Sequence, residues 1–391
     1  MDRANHALAT HLADLGHPVH LVAYRVDDDL LKRDNVTFHR VRKIAGSYLL
    51  SAPLLDRAGR RWARRIRAMG GRVIANGGNS NCSDINWVHY LHAAYGPVVQ
   101  TSFLRRVKNA VHTWHSRATE AAALKGSSLI IANSNRTKDD IVRHYAIDAS
   151  RIAVVHLAAD VERFTLADVP RRIEMRHTLG WPVDRKIVLF VGAMSDQRKG
   201  FDTLFDAWSA LCADPKWDAN LVVIGAGSDL ERWQARAAAM CLQDRITFLG
   251  FRRDLHDILG TADLLVAPTR YEAYGLGVHE ALCCGVPVIV SADAGVAEII
   301  PPALRDLMLL ASPDDSKMLK AMLLRWQASG DGYRAAMAQL CQDLRQRSWQ
   351  VCCTDIVRAI EGMTSPSSVA HTSSGVPKFQ DSSGVGLQRS A

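Results

Sequence analysis

No apolar run in the 391 residues is long enough to span a bilayer. The first residues, MDRANHALATHL, lack the charged, apolar and cleavage regions of a secretory signal. Both absences point to a cytoplasmic protein, at most peripheral at the inner face of a membrane. Cysteine occurs eight times but never as CxxC. Most copies, including the adjacent pairs Cys283–Cys284 and Cys352–Cys353, lie in apolar helical stretches. There a thiol behaves as a small hydrophobe, which argues against a disulfide framework and against a zinc site. An acidic excess is missing too. The net charge is +8, which favours anionic partners: nucleic acid, an acidic membrane surface or a phosphate-bearing substrate.

That charge is clustered. RAGRRWARRIRAMGGR at 57–72 holds seven arginines, and Arg105, Arg106 and Lys108 form a second group. A solvated basic helix explains the first cluster as readily as an anion-binding surface does. With 48% hydrophobic and 23% charged residues, the chain has the make-up of a globular protein of two conventional domains.

Along the chain, residues 4–15 carry Leu8, Leu12 and Leu15 at helical spacing, and Gly16 suits the end of that helix. A buried strand follows at VHLVAY (19–24). The Gly/Asn-rich text at 70–90 reads as a loop with short strands, and 100–125 as a long helical region. SLIIANS (128–134) is a strand whose helix, TKDDIVRHY, has Thr137 available as its cap. IAVVHLA (152–158) is another strand, and the irregular, charged stretch 160–185 marks the domain boundary.

The second half is more regular, with strands at IVLFV (187–191), LVVIG (221–225), ITFLG (246–250), LLVAP (264–268) and VPVIVS (286–291). Near-continuous apolar strands alternating with helices predict a parallel sheet covered on both faces. Ligands of such sheets sit beyond the carboxyl ends of the strands. A final helix is expected over 347–363, and the Ser/Gly-rich tail from Thr364 is expected to be disordered. The organisation is therefore 1–160, 161–345, a closing helix at 346–363 and a tail at 364–391.

Three strand–helix loops carry the chemistry. In VGAMSDQRKGFDTL (191–204), Arg198 and Lys199 stand just before a helix start, where a fork of donors and a point charge suit a diphosphate. Alone, such a loop also reads as a solvated turn. VVIGAGSDL (222–230) has a GxG turn without the third glycine of a dinucleotide fingerprint. Gly225 and Gly227 there suit a tight turn, which can also lie against a nucleotide base. In YEAYGLGVHEAL (271–282), Pro268 ends the strand, the helix runs from Leu276 to Cys284, and Gly285 stops it. Glu272 therefore stands in the loop and Glu280 within the first two helical turns, so they do not share one face. Gly275 and Gly277 permit close approach of a ligand. Acids near a helix start are also favoured by the helix dipole alone.

Together, TRYEAYGLGVHEAL, VGAMSDQRKGF, VIGAGSD and GVPVIVSADAGVAEII resemble the retaining glycosyltransferases of family 4, also called glycosyl transferases group 1. The resemblance covers 128–300 well, and 4–25, 86–96 and 347–361 more loosely. It implies an α/β, GT-B fold: two Rossmann-like domains facing across a cleft, the last helix crossing back to the first domain. The family begins with a strand and a Gly-rich loop ahead of the first helix. This chain shows neither, so the first strand of the N-terminal domain is expected to be missing. Glu272 is expected beside the donor sugar and Glu280 at the nucleotide ribose. Amides near Tyr274, Gly275 and Leu276 are expected at the diphosphate, with Arg198 and Lys199 neutralising it as it leaves. That charge stabilisation makes a metal or other cofactor unnecessary. INWVHYLHAAYGP (85–97) is similar to the family's histidine-bearing segment, with His92 the better match and His89 a neighbour; either also reads as a core histidine.

Where many members carry an arginine after the loop glycine, this chain has Ala193, which leaves the diphosphate to Arg198 and Lys199. The implied partners are a nucleotide-sugar donor and a glycan or lipid-linked acceptor, with membrane contact through 57–67 and no nucleic acid. The competing expectation is a catalytically silent scaffold of the same fold; a nucleotide-sugar epimerase ranks below both.

Overall fold

The computed structural model describes residues 2–44, 46, 48–96, 103–166, 168–195, 197–329 and 332–362. The tail from Thr364 and the side chains of Arg105, Arg106 and Lys108 lie outside the described residues. The first half runs α1 (Asp2–Asp14), β1 (Val19–Ala23), α2 (Asp28–Leu31), β2 (Val36–Arg40), α3 (Tyr48–Ala68), β3 (Ile74–Ala75), β4 (Ile85–Val88), α4 (Phe103–Gly126), β5 (Leu129–Ala132), α5 (Asn135–Tyr145) and β6 (Ile152–Val154). The second runs α6 (Val169–Thr178), β7 (Lys186–Val191), α7 (Phe201–Cys212), β8 (Ala219–Ile224), α8 (Leu230–Ala239), β9 (Ile246–Gly250), α9 (Leu255–Leu259), β10 (Leu264–Ala267), α10 (Leu276–Cys283), β11 (Val288–Ser291), α11 (Pro302–Met308), β12 (Leu309–Leu310), α12 (Ser316–Ala328), α13 (Gly332–Gln346) and α14 (Trp349–Gly362).

The six strands of the second half form one parallel sheet in the order β12-β11-β10-β7-β8-β9. Their continuous apolar sequences follow from burial on both faces. Ile187 and Leu189 of β7 face one core with Val222, Leu265 and Val288. Val188 and Phe190 face the other with Leu221, Val223 and Val266. From β7 the chain builds outward to β8 and β9, then returns past β7 to β10. The order reverses between β7 and β10, where a doubly wound sheet opens its crevice.

In the first half, β3-β4-β5-β6 form a parallel sheet and β1-β2 a separate parallel pair. One face of the four-stranded sheet, with Ile85, Trp87, Leu129 and Ile131, is covered by Ala4 and Leu8 of α1 and by Cys352, Cys353 and Ile356 of α14. The last helix thus packs on the first domain. The other face, with Val88, Ile130 and Ile152, receives Tyr271 and Ala273 from the second half.

Three local expectations change. The stretch 160–185 is not irregular throughout but contains α6, capped by Asp168, whose side chain accepts from Arg171 N. The charge misleads there because Arg176 is buried: its guanidinium donates to the Thr261 carbonyl at 3.0 Å and to Asp263 at 2.7 Å. Ser134 rather than Thr137 caps α5, since its hydroxyl accepts from Thr137 N. The strand β2 was not anticipated at all.

Candidate active site

The crevice between β7 and β10 is bordered by the loops that leave those strands. The first ends in a single turn of 3-10 helix at Gln197–Lys199, followed by Gly200 as the N-cap of α7. The second runs from Pro268 to Gly275. Backbone and side chain stitch them together: the Arg198 carbonyl accepts from Arg270 N at 2.8 Å and from the Thr269 hydroxyl at 3.0 Å. Arg270 then forks onto both carboxylate oxygens of Asp202 at 2.8 Å each, in the first turn of α7. A bidentate pair fixes direction as well as distance, so Arg198 and Lys199 are held on a braced loop.

Both basic groups meet Glu272. Lys199 forms an ion pair with its Oε2, and Arg198 Nη1 lies 3.9 Å from the same oxygen. Arg198 also donates to the Tyr271 carbonyl at 3.2 Å. Beside them α10 begins at Gly275, whose φ of 112° is left-handed. A Cβ there would meet Val296 at 2.8 Å, so the helix start depends on glycine. The amides of Gly275, Leu276 and Gly277 donate to no acceptor among the described residues. Free amides at a positive helix end beside two cations make an anion site. Tyr274 contributes no side chain to it: its hydroxyl donates to the Leu157 carbonyl at 3.1 Å and meets His279 Nδ1 at 2.7 Å inside the core.

Glu280 lies one turn into α10 and is 6% exposed. Arg3 at the start of α1 reaches across to its Oε1 at 2.6 Å. Burial nonetheless outweighs Arg3 and Arg163 and pushes the Glu280 carboxyl up to about 7.

From the opposite side comes the segment after β4. His92 is 44% exposed on its side chain, and its Nδ1 lies 3.0 Å from Oε1 of the buried Glu120 on α4. Glu120 also accepts from His92 N at 3.0 Å and from the Tyr145 hydroxyl at 2.5 Å. An acceptor-only carboxylate places the proton on Nδ1 and leaves Nε2 as the free face of the ring. Tyr90 bridges the domains, its ring edge-on to His92 at 5.1 Å and to Tyr271 at 5.2 Å, with the Arg198 guanidinium 5.8 Å away. His92, Arg198, Lys199 and Glu272 therefore border one cleft. His89 is half-buried with its ring 4.4 Å from Trp87, and burial pulls its pKa down to about 3.

Gly225 and Gly227 are used for packing. Gly225 has φ of 152°, and a Cβ on it would overlap the Gly192 carbonyl oxygen. A Cβ on Gly227 would overlap Met194 in the same way. The GxG turn thus lies against the loop bearing Arg198, which it supports from behind.

Four contributors escape sequence reasoning: Glu120, Arg3, Arg270 and Glu298. The last accepts from Asn135 N at 2.8 Å, Arg136 N at 2.7 Å and His156 Nε2 at 3.0 Å, clamping the two halves. Only Arg270 offered a signal, since it adjoins the Glu272 loop. Among the described residues, the one cluster of potential metal-ligand atoms is His6, Asp27 and Asp29, two of them exposed and none bordering the Glu272 crevice.

A cavity of ≈ 40 Å³ remains at the crevice, lined by Lys199, Thr269, Glu272, Gly275 and Gly277.

Comparison with known proteins agrees with this layout. Residues 1–163 match the family model "Glycosyltransferase Family 4" and residues 171–339 the model "Glycosyl transferases group 1". The chain is 30% identical over 271 residues to a D-inositol 3-phosphate glycosyltransferase of Xylanimonas cellulosilytica, covering 65% of this chain and 61% of that protein. It is 34% identical over 219 residues to one from Streptomyces bingchenggensis, covering 52% and 47%. The chain thus spans between 40% and 61% of the curated relatives' length. Among solved structures, WaaG, a glycosyltransferase of lipopolysaccharide biosynthesis, superposes with a TM-score of 0.72 at 20% identity over 92% of this chain and 95% of WaaG. Anabaena Alr3699/HepE, solved with UDP and glucose, gives 0.64 at 18% identity over 91% and 95%. At these identities the structural likenesses establish the fold, which is GT-B.

Proposed function

This chain belongs to glycosyltransferase family 4, and on that footing we propose that it moves a hexosyl group from a nucleotide-diphosphate sugar to a glycan or lipid-linked acceptor with retention. The observation that carries the reading is the meeting of Arg198, Lys199 and Glu272 beside unpaired amides at the start of α10. The amides and both cations suit the diphosphate, Glu272 the sugar hydroxyls, and Glu280 the ribose. His92, with Nδ1 held by Glu120, presents Nε2 toward the transferring sugar. No side chain is assigned as a nucleophile, so the acceptor attacks on the face from which the diphosphate leaves, and a leaving phosphate oxygen takes its proton. Arg198 and Lys199 stabilise the developing charge, the role a metal plays in other architectures. The acceptor meets the basic first half on the cytoplasmic side of a membrane, with 57–67 as the contacting surface. UDP-glucose is the first donor to try, since a relative of this fold was solved with UDP and glucose.

The test is binding and slow hydrolysis of UDP-, GDP- and ADP-sugars by the purified protein. Glu272→Ala is expected to cut turnover and Glu280→Ala to weaken nucleotide binding. Absence of both activities, with no thermal stabilisation by any nucleoside diphosphate, would replace this reading by a silent scaffold. Release of an epimerised sugar nucleotide would replace it by an epimerase.

A further inference from the structure

A second cavity, of ≈ 420 Å³, lies away from the Glu272 crevice, between the carboxyl end of β2 and α3. His39 and Arg40 supply one wall; Leu54, Arg57, Arg61 and Trp62 supply the other. The helix residues follow the spacing that puts side chains on one face, so Arg57 and Arg61 converge with Arg40 on one volume. Elsewhere on this surface arginines find carboxylates: Arg60 pairs with Asp56 and Arg67 with Asp84. Arg40, Arg57 and Arg61 make no ion pair or side-chain hydrogen bond among the described residues. The floor is fixed: the Trp62 ring stacks on His39 with centroids 3.5 Å apart, His39 Nε2 meets His20 Nδ1 at 3.0 Å, and the Arg65 guanidinium lies 4.9 Å from the Trp62 centroid. Burial, then His20 from β1 and Arg65 from α3, hold the His39 pKa below its ordinary value.

The groove lies on the cleft side of its domain. Helix α1 starts at the cleft, where Arg3 touches Glu280, and runs away from it; β1 returns, and β2 is parallel to β1. The carboxyl end of β2 accordingly points back toward the cleft.

We propose that this groove is a phosphate-binding site that receives a phosphate mono- or diester through Arg40, Arg57 and Arg61. Converging guanidinium forks match the tetrahedral oxygens of a phosphate, and the half-exposed Leu54 and the Trp62 edge suit an attached apolar or ring group. Three guanidiniums converging on one volume of ≈ 420 Å³ match a single phosphate rather than the many phosphates of a nucleic acid strand. The site deepens the proposed transfer by giving the acceptor a charged handle, but its occupancy is measured without turnover, so the two readings fail separately.

The probe is glycerol 3-phosphate in solution, followed by calorimetry, alongside vesicles of phosphatidylglycerol and phosphatidylcholine against phosphatidylcholine alone. Two double variants of equal charge are compared: Arg57→Gln with Arg61→Gln, and Arg143→Gln with Arg358→Gln, two exposed arginines outside 57–67. The groove pair is expected to weaken binding at least about tenfold while the second pair stays near wild type. Groove-dependent binding of free glycerol 3-phosphate identifies a soluble phosphate ester; groove-dependent binding of acidic vesicles alone identifies a lipid headgroup. Equal losses in both double variants would reduce the groove to diffuse surface charge. Competition by UDP-glucose would move the probe into the diphosphate subsite, and either result, or no binding at all, overturns the proposal.

Discussion

Glu280 turns the proposed donor site into a pH-dependent one. Its carboxyl is buried within α10, and burial raises it to about 7 although Arg3 holds Oε1 at 2.6 Å. Arg3 and Arg163 favour the ionised form and Asp160 opposes it. Ribose hydroxyls need an acceptor, so the ionised form is the one that binds. The ionised fraction rises from about 0.1 near pH 6 to about 0.9 near pH 8 for such a group. UDP-glucose affinity should therefore rise roughly tenfold over that window, or about 1.4 kcal/mol. A nucleotide sugar is the right ligand because its diphosphate has no ionisation there. Calorimetric titration across the window measures the slope, and Glu280→Gln should abolish it while weakening binding at the alkaline end. Stability runs the other way. With the folded carboxyl raised, the apo protein loses stability as pH climbs from the unfolded value toward about 7, and Glu280→Gln should remove that loss too. A flat affinity profile, or a slope that survives in Glu280→Gln, would refute the reasoning.

Four further outcomes are expected. Glu120→Gln should lower turnover by about 10² or more with little change in nucleotide affinity, because the amide no longer fixes the His92 tautomer; an unchanged rate assigns Glu120 to structure alone. Lys199→Ala should cost about 10²–10³ in turnover and weaken UDP binding, and kinetics like wild type would remove it from the site. Gly225→Ala should destabilise by at least about 1–3 kcal/mol, read as a fall in Tm, since the left-handed φ and the Gly192 carbonyl both exclude a side chain. A thiol reagent should label Cys241 first and, in the native protein, spare Cys283, Cys284, Cys341, Cys352 and Cys353, which are buried; native labelling of more than three thiols would contradict that.

The second half was legible because its strands are uninterrupted apolar runs covered on both faces, and its loops are marked by glycine and charge. The first half was less so. The strand VTFHR of β2 alternates too weakly to stand out, and it ends in the histidine and arginine that line the basic groove. In α6 the density of charge reads as irregular chain, whereas Arg176 is buried, its guanidinium satisfied by carbonyls and Asp263. Glu120 sits among ordinary helix residues, and only the return of His92 and Tyr145 onto it makes it a positioning group. Arg3 meets its partner 277 residues later, a contact that no local pattern announces. The GxG turn was legible as glycine but ambiguous in purpose; close packing against Gly192 and Met194 gives the reason for it.

The carboxylates around the crevice are all partnered, and that bears on how a donor enters. Lys199 is neutralised by Glu272, Glu280 by Arg3, and Glu298 by amides of α5 and His156. Each carboxylate that a sugar or ribose would address is thus already partnered, so none is left charged and unpaired in a low dielectric. In the proposed reaction, a diphosphate at the start of α10 would offer Lys199 a second anion and would free Glu272, the group proposed for the sugar hydroxyls. The Ser134 hydroxyl on the Ala273 carbonyl at 2.6 Å and Leu91 N on the Tyr271 hydroxyl at 3.1 Å tie the same loop to the first domain. Opening the cleft must therefore move the Glu272 loop or break those bonds, which couples domain motion to the residues proposed for chemistry.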